Sequence, residues 1–146
     1  MREQKNYSLI LKDLLSLEFS PVAISCLKEP YLKSFSKKVR ICRAILDSGK
    51  GEILQVNRKN NACFGAAWHL GFNRFKDQKI MHMVKKFVVE GEKLFSSYES
   101  LERLIEQMEE LPDNRDAYFV LSPLEKADFI PQTVIFICNA EQACRL

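Results

Sequence analysis

The sequence predicts a single domain of α/β or α+β class, with a mixed sheet of about four to five short strands covered by helices. Three observations predict it. A chain of 146 residues that is 47% hydrophobic is of the size that closes one core. Segments with apolar residues at helical spacing alternate with short continuous apolar runs of strand type. No internal repeat, low-complexity tract or Pro/Gly/Ser-rich linker divides the chain, so residues 1–146 are read as one domain.

Each element has its own warrant. Tyr7, Ile10, Leu11, Leu14 and Glu18 fall at helical spacing, with Leu9, Leu15 and Leu17 widening the apolar stripe, and predict a buried amphipathic helix from Tyr7 to Phe19. Ser20-Pro21 breaks it, and Val22 to Ser25 reads as a strand. Val39, Ile41, Cys42, Ile45 and Leu46 predict a helix from about Ser36 to Ser48, stopped by Gly49 and Gly51. Glu52 to Val56 reads as a strand. Asn61 is the expected N-cap of the next helix, with Cys63 in its first turn and Gly71 as its stop. Gln78 to Val89 starts with a helical pattern and ends β-branched. Ser96-Ser97-Tyr98-Glu99 has capping-box spacing ahead of Leu101, Leu104, Ile105, Met108 and Leu111, a helix ended by Pro112. Ala117 to Leu121 and Thr133 to Cys138 are continuous apolar runs and read as central strands buried on both faces. Pro123 to Phe129, between them, suits a turn or a single helical turn. Asn139, with Gln142 three residues on, starts a final helix.

Composition excludes several function classes. The aromatic content, with 10 Phe, 4 Tyr and 1 Trp, is incompatible with native disorder. No stretch approaches the roughly 18 to 20 apolar residues of a membrane span, and the polar start is not a signal segment. Five cysteines at irregular intervals do not make a disulfide framework and suit free thiols in a reducing cytoplasm. A formal charge of +3 is too mild to mark a nucleic-acid binder. One basic cluster, Lys33, Lys37, Lys38, Arg40 and Arg43 with Tyr31 and Phe35 interleaved, reads as a solvated helix face in preference to a phosphate-binding surface. No Walker loop, dinucleotide fingerprint, zinc-protease helix, nucleophile elbow or EF-hand is present.

Several segments together resemble the bacterial and archaeal family known as domain of unknown function 169. They are Pro21 to Ile24, Ile41 to Ala44, Cys63 to Phe72, Tyr98 to Leu101, Pro123 to Phe129, and Val134 to Asn139 with Gln142-Ala143. The Pro-Leu-Glu-Lys-Ala-Asp-Phe segment and the Cys-x-Gly-Ala helix start are the most specific of these. The resemblance implies no agreed activity. It also implies a form short at its C-terminal end, because the family pattern continues with further strands and Gly- and Cys-containing loops. Cys42, Cys63 and Cys138 fall inside family-like segments, whereas Cys26 and Cys144 fall where the family has other residues.

That contrast directs attention to three thiols. Cys63 near a helix N-terminus would feel the positive end of the helix dipole, which favours thiolate. Cys138, at the end of a central strand, would open onto a ligand crevice. Gathered by the fold, the three thiolates could hold an iron–sulfur cluster or a zinc, with His69 or water completing the zinc shell. No Cys-x-x-Cys pair preorganises them, and buried free cysteine is a common core residue. His69 lies six residues after Cys63, about 120° around a helix, so the two do not form a dyad on one helix; no catalytic residue is assigned. Glu125 and Asp128 could pair as acid and base, but a Pro-led turn in which they cap backbone N–H groups is favoured.

Three functions stay open on this reading. The first is a small-ligand, cofactor or metal-binding domain with a cysteine-lined pocket, whose ligand residues are Cys42, Cys63, Gly65, Ala66, Cys138 and Asn139 and whose metal residues are Cys42, Cys63 and Cys138. The second is a non-catalytic interaction module that pairs with another copy of itself or with a partner subunit. The third is weak phosphate or nucleic-acid contact through the basic helix. The partners expected are a small ligand and a second copy of the chain, without a membrane and with nucleic acid disfavoured.

Overall fold

The computed structural model describes residues 2–34, 37–72, 78–107 and 113–146. In chain order the elements are α1 (Arg2–Leu14), β1 (Val22–Leu27), α2 (Ile41–Gly49), β2 (Leu54–Asn57), α3 (Phe64–His69), α4 (Gln78–Lys86) running into a π-helical turn (Phe87–Gly91), α5 (Tyr98–Gln107), β3 (Tyr118–Pro123), a 3-10 turn (Leu124–Lys126), β4 (Thr133–Ile135) and α6 (Ala140–Ala143). The four described strands form one sheet in the order β2-β3-β1-β4. Every pairing between them is antiparallel, so the α+β form of the predicted class is adopted and the expected mixture of strand directions resolves to one.

Strand alternation sorts the side chains into two cores. On one face Val22, Leu54, Val56 and Leu121 are buried with Val39, Ala44, Ala67 and Phe72, under α2 and α3. On the other, Ala23 and Val134 meet Leu124, Ala127 and Phe129 of the turn after β3 and Leu11 of α1. This second face also buries a polar side chain, Gln55, whose Oε1 accepts from the backbone N–H groups of Tyr31 and Leu32 at 2.7 and 3.0 Å. The strap after β1 is thereby pinned across the sheet.

Helix α1 ends earlier than the apolar pattern predicts. Ser16 adopts φ +50, the N–H of Leu17 bonds Lys12 O at 2.9 Å and that of Ser16 bonds Asp13 O at 3.1 Å, which together make a Schellman cap. Leu15 and Leu17 stay buried beyond the helix, so the stripe continues after the helical repeat has stopped. Helix α2 spans Ile41–Gly49, and Gly51 takes φ +115 just past it. A Cβ on Gly49 would come within 3.1 Å of Phe19 Cβ and 3.2 Å of Ile137 Cδ1, so glycine lets the end of α2 seat against both neighbouring segments. Residues 37–40 are not helical, which removes most of the predicted basic helix. Phe35, the expected helix start at Ser36, and the expected end of α5 from Met108 to Pro112 lie outside the described residues.

Three local expectations are corrected. The N-cap of α3 is Cys63, whose sulfur accepts from the N–H of Ala66 at 3.5 Å, while Asn61 brackets Cys63 with bonds to its N–H and carbonyl. The box before α5 is Ser97 with Ser100, whose hydroxyls accept from each other's backbone N–H at 3.2 and 3.3 Å. Strand β4 is a three-residue edge strand, partly exposed, and Cys138 lies beyond it. A continuous apolar run does not distinguish a central strand from an edge strand that packs under helices; β1 and β3 occupy the centre. The ambiguous Gln78–Val89 stretch is helical throughout, and the Asn139–Gln142 capping box forms with both bonds at 2.9 Å. No helix among the described residues is long and apolar enough to cross a membrane.

Candidate functional site

Strand β4 pairs with β1 only from Val22 to Ile24. Past that point Gln132 closes the open edge, its N–H bonding Ile24 O at 2.9 Å and its side-chain Oε1 accepting from the N–H of Cys26 at 2.8 Å. On the other side of β1 the segment entering β3 is held by Asn114, whose N–H bonds Gly71 O and whose Nδ2 bonds Leu70 O, both at 3.1 Å. Gly71 adopts φ +73 just past the end of α3, a conformation that glycine takes without strain. Between the two supports lies a cleft of about 530 Å³, lined by Cys26, Leu27, Lys28, the 113–117 segment and Gln132. That volume is within the range of small-molecule sites.

The chemistry of the cleft is mixed in charge. Arg115 is clamped by Asp113 through Nε and Nη2, at 2.9 and 2.7 Å, and this hydrogen bond and the Asp113 charge raise its pKa. Among the described residues, the Lys28 ammonium, the Gln132 Nε2 and the Asp116 carboxylate make no hydrogen bond, which leaves a cation, an amide donor and an anion available. Burial pushes the Cys26 thiol pKa up. Cysteine nucleophiles and metal ligands work as thiolates, and burial holds this sulfur in the opposite form. The other groups of the cleft offer hydrogen bonds and charge of both signs.

The residues singled out from sequence are placed elsewhere; none of Cys42, Cys63, Gly65, Ala66, Cys138 and Asn139 lines this cleft. Cys42 is exposed near the start of α2, and Cys63 and Cys138 are half-buried. Among the described residues, which include all three, no group of three His, Cys, Asp or Glu side chains is placed to hold a metal ion. The Cys63 sulfur caps α3, and the three cysteines do not form such a group. Gly65 is exposed, and a Cβ there would meet nothing within 4 Å, so no close backbone approach requires it. Asn139 is committed to its capping box. His69 is exposed and stacks on Trp68 at 5.5 Å, and His82 is exposed on α4.

The Pro123–Phe129 segment is a hub. Glu125 accepts from the hydroxyls of Ser8 and Ser20, both at 2.8 Å, and Lys126 donates to Gly51 O at 2.7 Å. Asp128 accepts from the Tyr31 hydroxyl, and Phe129 meets the Tyr31 ring edge-on at 5.7 Å. Burial first, then the bond to Asp128 and its charge, push the Tyr31 pKa up to about 12, so this hydroxyl remains a donor throughout the physiological range. The two carboxylates are occupied by side-chain hydroxyls, and the segment ties α1, the strap and the end of α2 to the sheet.

No curated protein and no solved structure matches the chain. Residues 10–146 match the family described as uncharacterised ArCR, domain of unknown function 169, a span that takes in both cores, the cleft and the Pro123–Phe129 hub; the chain belongs to that family.

Proposed function

We propose that this chain is a binding domain for a small polar ligand of amino-acid type, carrying a carboxylate at one end and an ammonium at the other, seated in the cleft beside Cys26. One observation carries the reading: Lys28, Gln132 and Asp116 present complementary groups without hydrogen-bond partners among the described residues around a single cleft. Lys28 and the Gln132 amide would take the carboxylate, and Asp116 the ammonium. Gln132 is oriented for this by its bond to the Cys26 N–H. Titration of isotope-labelled protein with free amino acids, and with succinate as a ligand lacking the ammonium, tests it by amide NMR. Saturable shifts at residues 26–28, 113–117 and 132 are expected for an amino acid. Lys28→Ala and Asp116→Ala should each weaken binding by roughly tenfold, as loss of a charged hydrogen bond does. A panel that moves none of these signals, or binding indifferent to both substitutions, sinks the reading.

A second reading, pairing with another copy of the chain, is favoured by α1. Tyr7, Ile10 and Leu14 share one face of that helix and are 60%, 53% and 67% exposed. Light scattering over a concentration series should show an oligomer that Ile10→Glu with Leu14→Glu dissociates; a strict monomer removes it.

A further inference from the structure

Basic charge is segregated along this chain. The stretches 30–46 and 53–76 contain five and four Lys or Arg and no Asp or Glu, although the whole sequence has 22 basic and 19 acidic residues. The remainder is net acidic. The fold joins the described parts of the two stretches. Val39 and Asn61 form a parallel bridge, Val39 N–H bonds Asn60 O at 3.0 Å and Ala62 N–H bonds Val39 O at 2.8 Å. Lys38 Nζ donates to Lys59 O at 2.7 Å.

The turn that carries Arg58 and Lys59 is held in place by its asparagines. Asn57 Oδ1 accepts from the N–H groups of Lys59 and Asn60 at 2.8 and 3.1 Å, and the buried Asn60 donates to Gln55 O at 2.8 Å. Lys37, Lys38, Arg40, Arg43, Arg58 and Lys59 are all exposed. Arg43 is paired with Asp47 at 2.9 Å. Lys37, Arg40, Arg58 and Lys59 have no side-chain partner among the described residues. The apolar side chains between these cations turn inward, Val39 being buried and Ile41 half-buried in the core under α2. A membrane-binding surface would instead set apolar residues outward among its cations.

We propose that this joined surface binds the phosphate backbone of a nucleic acid, without reading its bases. Cations on two separate segments that backbone hydrogen bonds join, four of them without a side-chain partner among the described residues, suit a polyanion that spans several charges at once. Such binding releases counterions, and engagement of about four phosphates predicts that raising KCl from 50 to 200 mM weakens it by roughly 50- to 150-fold.

Fluorescence anisotropy with labelled oligouridylate and duplex DNA of about 20 nucleotides tests the proposal. The full chain should bind at 50 mM KCl with that salt dependence. Arg58→Glu with Lys59→Glu, and separately Lys37→Glu with Arg40→Glu, should each reduce affinity at least about tenfold, while Lys86→Glu with Lys93→Glu, which changes net charge equally elsewhere, should have little effect. Circular dichroism melts confirm that each variant is folded, and Arg58→Gln with Lys59→Gln gives a milder pair expected to weaken binding less. The proposal is overturned by salt-insensitive or absent binding, by equal losses in the control pair, or by sedimentation with phosphatidylglycerol vesicles while both nucleic acids stay free.

Discussion

The Glu125 carboxylate joins two distant parts of the chain through the hydroxyls of Ser8, which is 1% exposed, and Ser20, which is 7% exposed. Burial acts to raise its pKa, but its own backbone N–H, the two hydroxyls and the Lys12 charge outweigh burial and hold it below the ordinary 4.5. A carboxyl whose pKa is lowered on folding stabilises the fold above its unfolded value, and that stability is lost as the pH falls below it. Glu125→Gln should therefore cost about 1–2 kcal/mol at neutral pH, the value of charged hydrogen bonds discounted for partial exposure. The difference from the parent chain should shrink as the pH falls from 4.5 through the lowered folded-state value, beneath which the carboxyl is neutral in the folded chain as well. Urea melts from pH 7 downward measure this, and a gap of constant size at every pH contradicts it.

Helix ends show where sequence patterns and structure part company. The stripe from Tyr7 to Leu17 is continuous, yet the helix stops at Leu14 because Ser16 takes a left-handed conformation that a serine adopts only at a cost. Glycine would have announced the stop; serine does not. Ser16 is exposed, and its carbonyl accepts from Gln142 Nε2 at 2.7 Å, so a glycine at this position keeps the contact with α6. Ser16→Gly should stabilise the protein by about 0.5–1 kcal/mol, a rise of about 2–4 °C in a calorimetric melt; an unchanged or lowered Tm would show that the cap is not strained. Other ends were legible because their chemistry is local: the Asn139–Gln142 box forms as written, and Gly71 ends α3. The central places of β1 and β3 were legible only in part, since apolar runs report burial and not strand order. The cleft was not legible at all. Gln132, Lys28 and Asp116 follow no spacing rule, and they meet only because β4 is three residues long and leaves half of the β1 edge to a side chain.

At the scale of the whole molecule, β1 and β3 share six paired positions and β3 is backed by β2, whereas β4 holds β1 through three. Beyond β4, the short helix α6 is fastened by its capping box and by the Gln142 bond to Ser16 O. Stability is distributed accordingly, because segments with few long-range contacts open at lower free energy than the centre of the sheet. The β4–α6 segment should open as a unit while the other three strands remain paired. Amide hydrogen exchange should then protect residues 118–122 and the β1 amides that face β3 longest, and release 132–143 and the Cys26 N–H early and together. The same opening withdraws Gln132 from the Cys26 N–H, so alkylation of Cys26, in a variant with the other four cysteines replaced by serine, should follow the exchange of β4 and not global unfolding. A ligand held by Lys28 and Gln132 would slow both processes in parallel, linking the cleft to the weakest part of the sheet. Exchange in β4 as slow as in β3, or Cys26 labelling that waits for complete unfolding, would mean that the edge strand is part of the central cooperative unit and that the cleft is rigid.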